Sequence, residues 1–177
     1  MSQQGSRRAG TAQPWRCLSA DAKTLHLHPD GAMKAFVWND RFETGLAPVD
    51  DQHHRLVEII NRLGAVLIDG SATEASLAAT FGELADYAKR HFADEERLMA
   101  QAGLDPRHVD VHRQHHRQFV EQLVGLWKGR ASLAQPAEVL HGFLSSWLTF
   151  HILEEDQAMA RQLELVQQGS SPAQAFD

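Results

Sequence analysis

The 177-residue chain predicts an all-α protein, an up-down-up-down four-helix bundle. Three features predict it. Apolar residues recur at helical spacing in four segments, Gly, Pro and cap-type residues separate those segments at short intervals, and no stretch alternates in the manner of a strand. Short links between long amphipathic helices set consecutive helices side by side and antiparallel.

Residues 1–33 mix Gly, Ser, Gln, Pro and scattered charge without periodicity and are expected to be a disordered or weakly ordered N-terminal extension. Patterned sequence begins at Met33 with "MKAFVWNDRFETG", which makes Met33 a candidate start of translation and residues 34–168 the folded domain. The first helix, about 51–68, carries Leu56, Ile59, Ile60, Leu63 and Leu67 as one apolar stripe and ends at Gly70. The second, about 73–101, is expected to open on a capping box of Ser71 with Glu74 and to stop at Gly103. Asp105 as N-cap and Pro106 as first helical residue open the third, which runs to about Lys128 before Gly129. The fourth begins near Pro136 and continues past Glu164, leaving 169–177 as an expected flexible tail.

Bulk composition narrows the function. A net charge of −6 argues against nucleic acid, whose binders usually present a basic face. Cys17 is the single cysteine, so an internal disulfide and cysteine-rich zinc or iron–sulfur sites are excluded, and a reducing cytoplasm is the expected location. No segment has the apolar core of a secretory signal or the roughly 20 apolar residues of a membrane helix. The anomaly is histidine: the chain has 11, four of them within "HVDVHRQHH".

Residues four apart on a helix lie about 40° apart in azimuth and about 6 Å apart in height, so their side chains can aim at one point. "HFADE" places His91 and Glu95 at that spacing, and "HRQHH" does the same for His112 and His116. In "HILEED" His151 and Asp156 are five apart, about 140° around an α-helix, and are expected to approach a central site from opposite flanks. His53, in "DDQHHRL", lies near the start of the first helix. Each helix thus offers one or two side chains of metal-binding type toward the bundle interior. Seven ligands are too many for one tetrahedral zinc, and imidazole with carboxylate suits iron, copper, nickel or zinc, so a di-metal site is implied. If Glu95 and Asp156 bridge both ions together with a solvent-derived oxygen, five histidines remain: three complete one ion and two leave the other with a vacancy for a small ligand.

The motifs "VDDQHHRL", "HFADEERLM", "HRQHHRQF" and "WLTFHILEED" resemble, in order and character, the signature of the hemerythrins, in particular the bacterial single-domain form, over about Phe36 to Leu165. The resemblance implies two non-heme iron ions, with His112, His116 and His151 on the first, His53 and His91 on the second, and Glu95 and Asp156 bridging. It also implies reversible binding of dioxygen at the second iron, for storage, delivery or sensing, with no catalysis of its own. A sensor would need a separate protein partner, since no signalling domain is recognisable in the chain. The family pattern has Phe three residues after the second histidine of its pair, and Phe119 therefore selects His112 and His116 over His115. The sequence departs from the pattern at "GLDPRH", where relatives have an aromatic directly before Pro and a shorter link.

Isolated histidines are usually surface or core residues with no metal, and His26, His28, His54, His108, His115 and His141 are read that way. His108, one turn before His112, is either a neighbour of the ligands or exposed. Asp94, Glu96, Glu154 and Glu155 read as a solvated acidic face, and Trp147, Phe150, Leu98 and Met99 as packing that could also keep the site dry. Two other functions compete. A ferritin-like di-iron oxidase or peroxidase needs two Glu-x-x-His motifs and further glutamates, and only Glu138 with His141 fits, whereas a di-iron enzyme handling O2, peroxide or nitric oxide could use the same vacancy. Five neutral imidazoles favour binding over oxidation. A metal-free helical interaction module would leave the seven residues a coincidence.

Overall fold

A computed structural model describes residues 35–177. The expectations for the N-terminal extension, Met33, His26 and His28 lie outside these residues. Four rods make the bundle: α1 (Ala47–Ile68), α2 (Glu74–Ala102), α3 (Pro106–Gly129), and a last rod of α4 (Pro136–Phe150), a π-helical segment (His151–Asp156) and α5 (Gln157–Gln167), followed by a short α6 (Pro172–Phe176). Helix α1 packs on α2 and α4, and α3 closes the ring against the same two neighbours. Among the described residues there is no strand, and no helix is long and apolar enough to cross a membrane.

Local chemistry explains the boundaries. Helix α1 starts a turn earlier than its apolar stripe, at Ala47, because Pro48 supplies a preset φ where the helix needs no N–H. Asp50 then reaches back over that first turn, accepting from the N–H and Oγ1 of Thr44 and the N–H of Gly45. The capping box of α2 is Thr73 with Ser76, not Ser71 with Glu74: Thr73 Oγ1 accepts from Ser76 N–H, and Ser76 Oγ accepts from Thr73 N–H. Serine can close the box as glutamate does, and its short side chain hides the motif from a search for S-x-x-E. Helix α2 stops at Gly103, whose φ of 64° is left-handed. Asp105 caps α3 through Arg107 N–H, with Pro106 next, as the sequence indicates. Residues 169–177, expected as a flexible tail, instead carry α6, capped by Ser171. The Arg107 guanidinium sits 4.1 Å from the Phe176 ring and pairs with Asp177, fixing this turn to the start of α3.

Two apolar clusters fill the interior. The larger includes Leu56, Ile59, Ile60 and Leu63 of α1, Leu84 and Phe92 of α2, Phe119 and Leu123 of α3, and Leu140, Leu144 and Leu148 of α4. The smaller gathers Val49, Met99, Leu104, Val109, Met159 and Leu163. On each rod the metal-type side chains lie near where the larger cluster gives way to the smaller: His53 between Val49 and Leu56, Glu95 between Phe92 and Met99, His112 and His116 between Val109 and Phe119, and Asp156 between Ile152 and Met159. This places them in a water-poor layer.

Candidate metal centre

The structure brings all seven sequence-expected residues together. His53, His91, Glu95, His112 and Asp156 are 0–1% exposed, His151 is 1% and His116 is 3%. They form two overlapping groups that could hold a metal ion, one of Glu95, His112, His116 and His151 and one of His53, His91, Glu95 and Asp156, with the ligand-type atoms of each group within 4.8 Å of one another. The carboxylates join the groups oxygen by oxygen. Glu95 turns Oε1 to His91 Nε2 (3.5 Å) and Oε2 to Nε2 of His112 (3.4 Å), His116 (3.2 Å) and His151 (3.7 Å). Asp156 turns Oδ2 to His53 Nε2 (2.9 Å) and Oδ1 to Nε2 of His112 (3.5 Å) and His151 (3.2 Å).

The last rod corrects one expectation. His151 and Asp156 do not come from opposite flanks: the segment between them is π-helical. Its i→i+5 hydrogen bonding brings residues five apart onto nearly the same face, where an α-helix would turn them far apart. Both side chains therefore enter the centre from one side of the rod, and the helix resumes as α5 with Met159 and Leu163 still facing inward.

These atoms also pass a chemical test for cations. The five histidine Nε2 atoms and all four oxygens of Glu95 and Asp156 are buried without a hydrogen-bond partner, although they approach each other closely. Buried polar atoms are almost always satisfied. Such a set fits lone pairs directed at shared points rather than at one another. Electrostatics agrees. Burial pushes Asp156 upward, the charge on Glu95 adds to this, and its pKa reaches about 7. Burial acts upward on Glu95 as well, but His91 and the three imidazoles around Oε2 outweigh it and hold the carboxyl well below its usual range. Burial lowers His91 to about 4 and takes His151 well below the histidine range, leaving both rings neutral. For His53 and His112 burial is outweighed by the carboxylates, Asp156 for the first and Glu95 for the second, and both are raised. One carboxylate thus ionises at the expense of the other, a conflict that bound cations remove.

Partners behind the ring of seven were not legible in the sequence. His91 Nδ1 meets Gln52 Oε1 at 2.8 Å, and Gln52 Nε2 donates to Asp94 at 2.7 Å. His116 Nδ1 meets Glu96 Oε1 at 3.1 Å, and Arg113 Nε lies 3.2 Å from the other oxygen of Glu96. Asp94 and Glu96, read as solvated acids, are therefore tied to histidines of the centre. Such partners fix which ring nitrogen carries the proton and where the other points. Aromatic faces hold the rings from the side: Phe92 stacks on His116 at 3.9 Å and Trp147 on His151 at 4.3 Å.

The other described histidines stay outside the two groups. His54 is half-exposed, its ring tilted against Trp38 with centres 4.1 Å apart. His115 pairs with Glu155 at 2.8 Å, both nearly buried, so Glu155 is not a solvated acid either. His141 packs deep in the bundle against Gly64, which leaves the Glu-x-x-His of an oxidase away from the centre. His108 is 7% exposed, and burial lowers it to about 4.

Residues 44–163 match the family described as the Hemerythrin HHE cation binding domain. The chain belongs to that hemerythrin family. Among curated relatives, hemerythrin resemblance extends to the bacteriohemerythrin of Stenotrophomonas maltophilia, 32% identical over 133 residues, 75% of this chain and 84% of that one. The bacteriohemerythrin of Pseudomonas aeruginosa is 35% identical over 125 residues, 70% of this chain and 78% of that one. The bacteriohemerythrin of Clostridium acetobutylicum is 28% identical over 126 residues, 69% of this chain and 96% of that one. No solved structure matches the chain. The hemerythrin match spans all four rods and all seven residues.

Proposed function

We propose that the protein is a non-heme di-iron carrier or sensor of dioxygen. His112, His116 and His151 would hold one iron, His53 and His91 the other, and Glu95 and Asp156 would bridge. The observation that carries this reading is the split of each buried carboxylate, with one oxygen toward the three-histidine group and one toward the two-histidine group. When bound, two ferrous ions supply the electrons and the open coordination position that reversible dioxygen binding requires.

The chain's own residues do the rest. Glu95 and Asp156 would offset half the charge of two ferrous ions, and the five imidazoles would add neutral donors in a dry layer. Gln52 and Glu96 keep His91 and His116 pointing inward. Around the two-histidine side lies the segment before α1: the backbone of Phe36 is clamped in both directions by the Asn61 side chain, and Trp38 lies with its ring 6.3 Å from His53. Phe42 packs beneath it into the core. This aromatic cover excludes water, which would otherwise deliver protons to the bound gas and let it leave reduced. Histidine-rich ligation, with few anionic donors, favours returning the gas over oxidising a substrate.

The test is anaerobic loading with ferrous iron, exposure to O2, then removal of the gas. A visible spectrum that appears and returns to the colourless form supports the reading. Prompt irreversible oxidation would turn it toward an enzyme.

A further inference from the structure

A neutral imidazole that gives the lone pair of Nε2 to a metal carries its proton on Nδ1 and needs an acceptor there. His91 finds one in Gln52, and His116 finds one in Glu96. The Nδ1 of His112 is buried and meets none. One turn earlier on α3 stands His108, with an Nε2 that is buried and meets no donor. Their rings lie 5.6 Å apart, inclined at 70°. At that separation the two nitrogens, turned along the line of ring centres, stand about 3.3 Å apart, within hydrogen-bond range, since each lies a little over 1 Å from its ring centre, by roughly standard geometry. A donor without an acceptor and an acceptor without a donor are each costly in a buried layer, and here they are neighbours at i and i+4.

We propose that His108 is a positioning residue for His112: its Nε2 accepts the Nδ1–H of His112 and fixes the tautomer and ring plane that aim His112 Nε2 between Glu95 and Asp156. The proton of His108 then sits on its own Nδ1, which is not among the stranded buried atoms. A neutral acceptor suits this place better than a carboxylate, because Glu95, Asp156 and the nearby Glu155 already crowd it with negative charge. The inference rests on the metal reading of the centre, and it gives the crowded "HVDVHRQHH" run a purpose beyond its two ligand candidates.

The test compares the full chain with His108→Leu, which removes the acceptor at similar volume, and His108→Gln, which restores an oxygen acceptor. Each is loaded anaerobically with ferrous iron and challenged with excess ferrous chelator. His108→Leu is expected to release iron about 10-fold or more faster, and His108→Gln to stay within about 3-fold of the original. Melting of the metal-free forms serves as the structural control, with the Leu variant no less stable than the Gln variant. A Leu variant that keeps iron like the original, or a Gln variant that loses it as fast as Leu, overturns the proposal. An original chain that takes up no iron overturns the metal reading with it, and that failure is seen before any variant is compared.

Discussion

Glu96 is the partner whose removal tests the site most cleanly, because it touches a ligand candidate from behind and lies in neither group. Its Oε1 is 3.1 Å from His116 Nδ1, and its side chain is a third exposed. Two independent magnitudes apply to Glu96→Ala. A hydrogen bond to a charged group contributes about 1.5–3 kcal/mol. Loss of such an outer partner typically lowers metal affinity 10–100-fold, or about 1.4–2.7 kcal/mol. The ranges overlap near 2 kcal/mol, about a 30-fold weakening. Phe92, stacked on His116, keeps the ring from swinging away altogether. Glu96→Gln retains an oxygen acceptor without its charge, so roughly half that free energy is lost, about a 5-fold weakening. Glu83→Gln is the control for charge, since Glu83 pairs with Arg55 and Arg62 on the surface. Anaerobic competition against a chromophoric ferrous chelator reads all three. If Glu96→Ala binds iron as tightly as Glu83→Gln, the orientation of His116 does not depend on Glu96 and the reasoning fails.

Other outcomes follow from the same structure. A Cβ on Gly64 would lie 2.9 Å from His141 Nε2 in the core, whereas one on Gly125 meets nothing within 4 Å; Gly125→Ala should stabilise by up to about 1 kcal/mol and Gly64→Ala should destabilise by about 1–3 kcal/mol, both read by urea denaturation. Metal-free protein should lose stability on acidification. His91 and His108, held at about 4, together with His151 and His141, also lowered, bind fewer protons folded than unfolded, so their contribution is complete above the usual histidine pKa and is lost as pH falls toward 4. Asp156, pushed up to about 7, acts in the opposite sense, favouring the folded state at low pH and losing that contribution as pH rises to 7, so Asp156→Asn should steepen the acid loss; denaturation midpoints between pH 4.5 and 7.5, taken at roughly half-unit steps, check both signs. His112→Ala and Glu95→Ala should each lower iron content, while His115→Ala should keep it and lose modest stability through its partner Glu155; equal iron loss in all three would show that the wrong face of α3 had been assigned to the centre.

What the sequence revealed depended on period. The stripe of Leu56, Ile59, Ile60 and Leu63 and the pairs His91/Glu95 and His112/His116 obey α-helical spacing, so the helices and the inward faces could be read directly. The turn chemistry of Asp105–Pro106 and Gly103 was equally plain. The π segment was not, because an added residue in a helix has no signature of its own: His151 and Asp156 look misaligned until the hydrogen bonding shifts to i→i+5. Gln52 and Glu96 were hidden for another reason. Each acts across helices, on His91 and His116, and a contact between rods depends on packing rather than on spacing along one of them. Helix α6 was missed because a single turn has no periodicity to detect and is held by Arg107, distant in sequence.

The most direct measurement is metal stoichiometry after anaerobic ferrous loading of the purified chain, taken with the visible spectrum through one cycle of oxygenation and gas removal. Two irons per chain and a spectrum that rises and reverts are expected from the geometry. At most one iron per chain, or two that leave no oxygen-dependent spectrum, would contradict it.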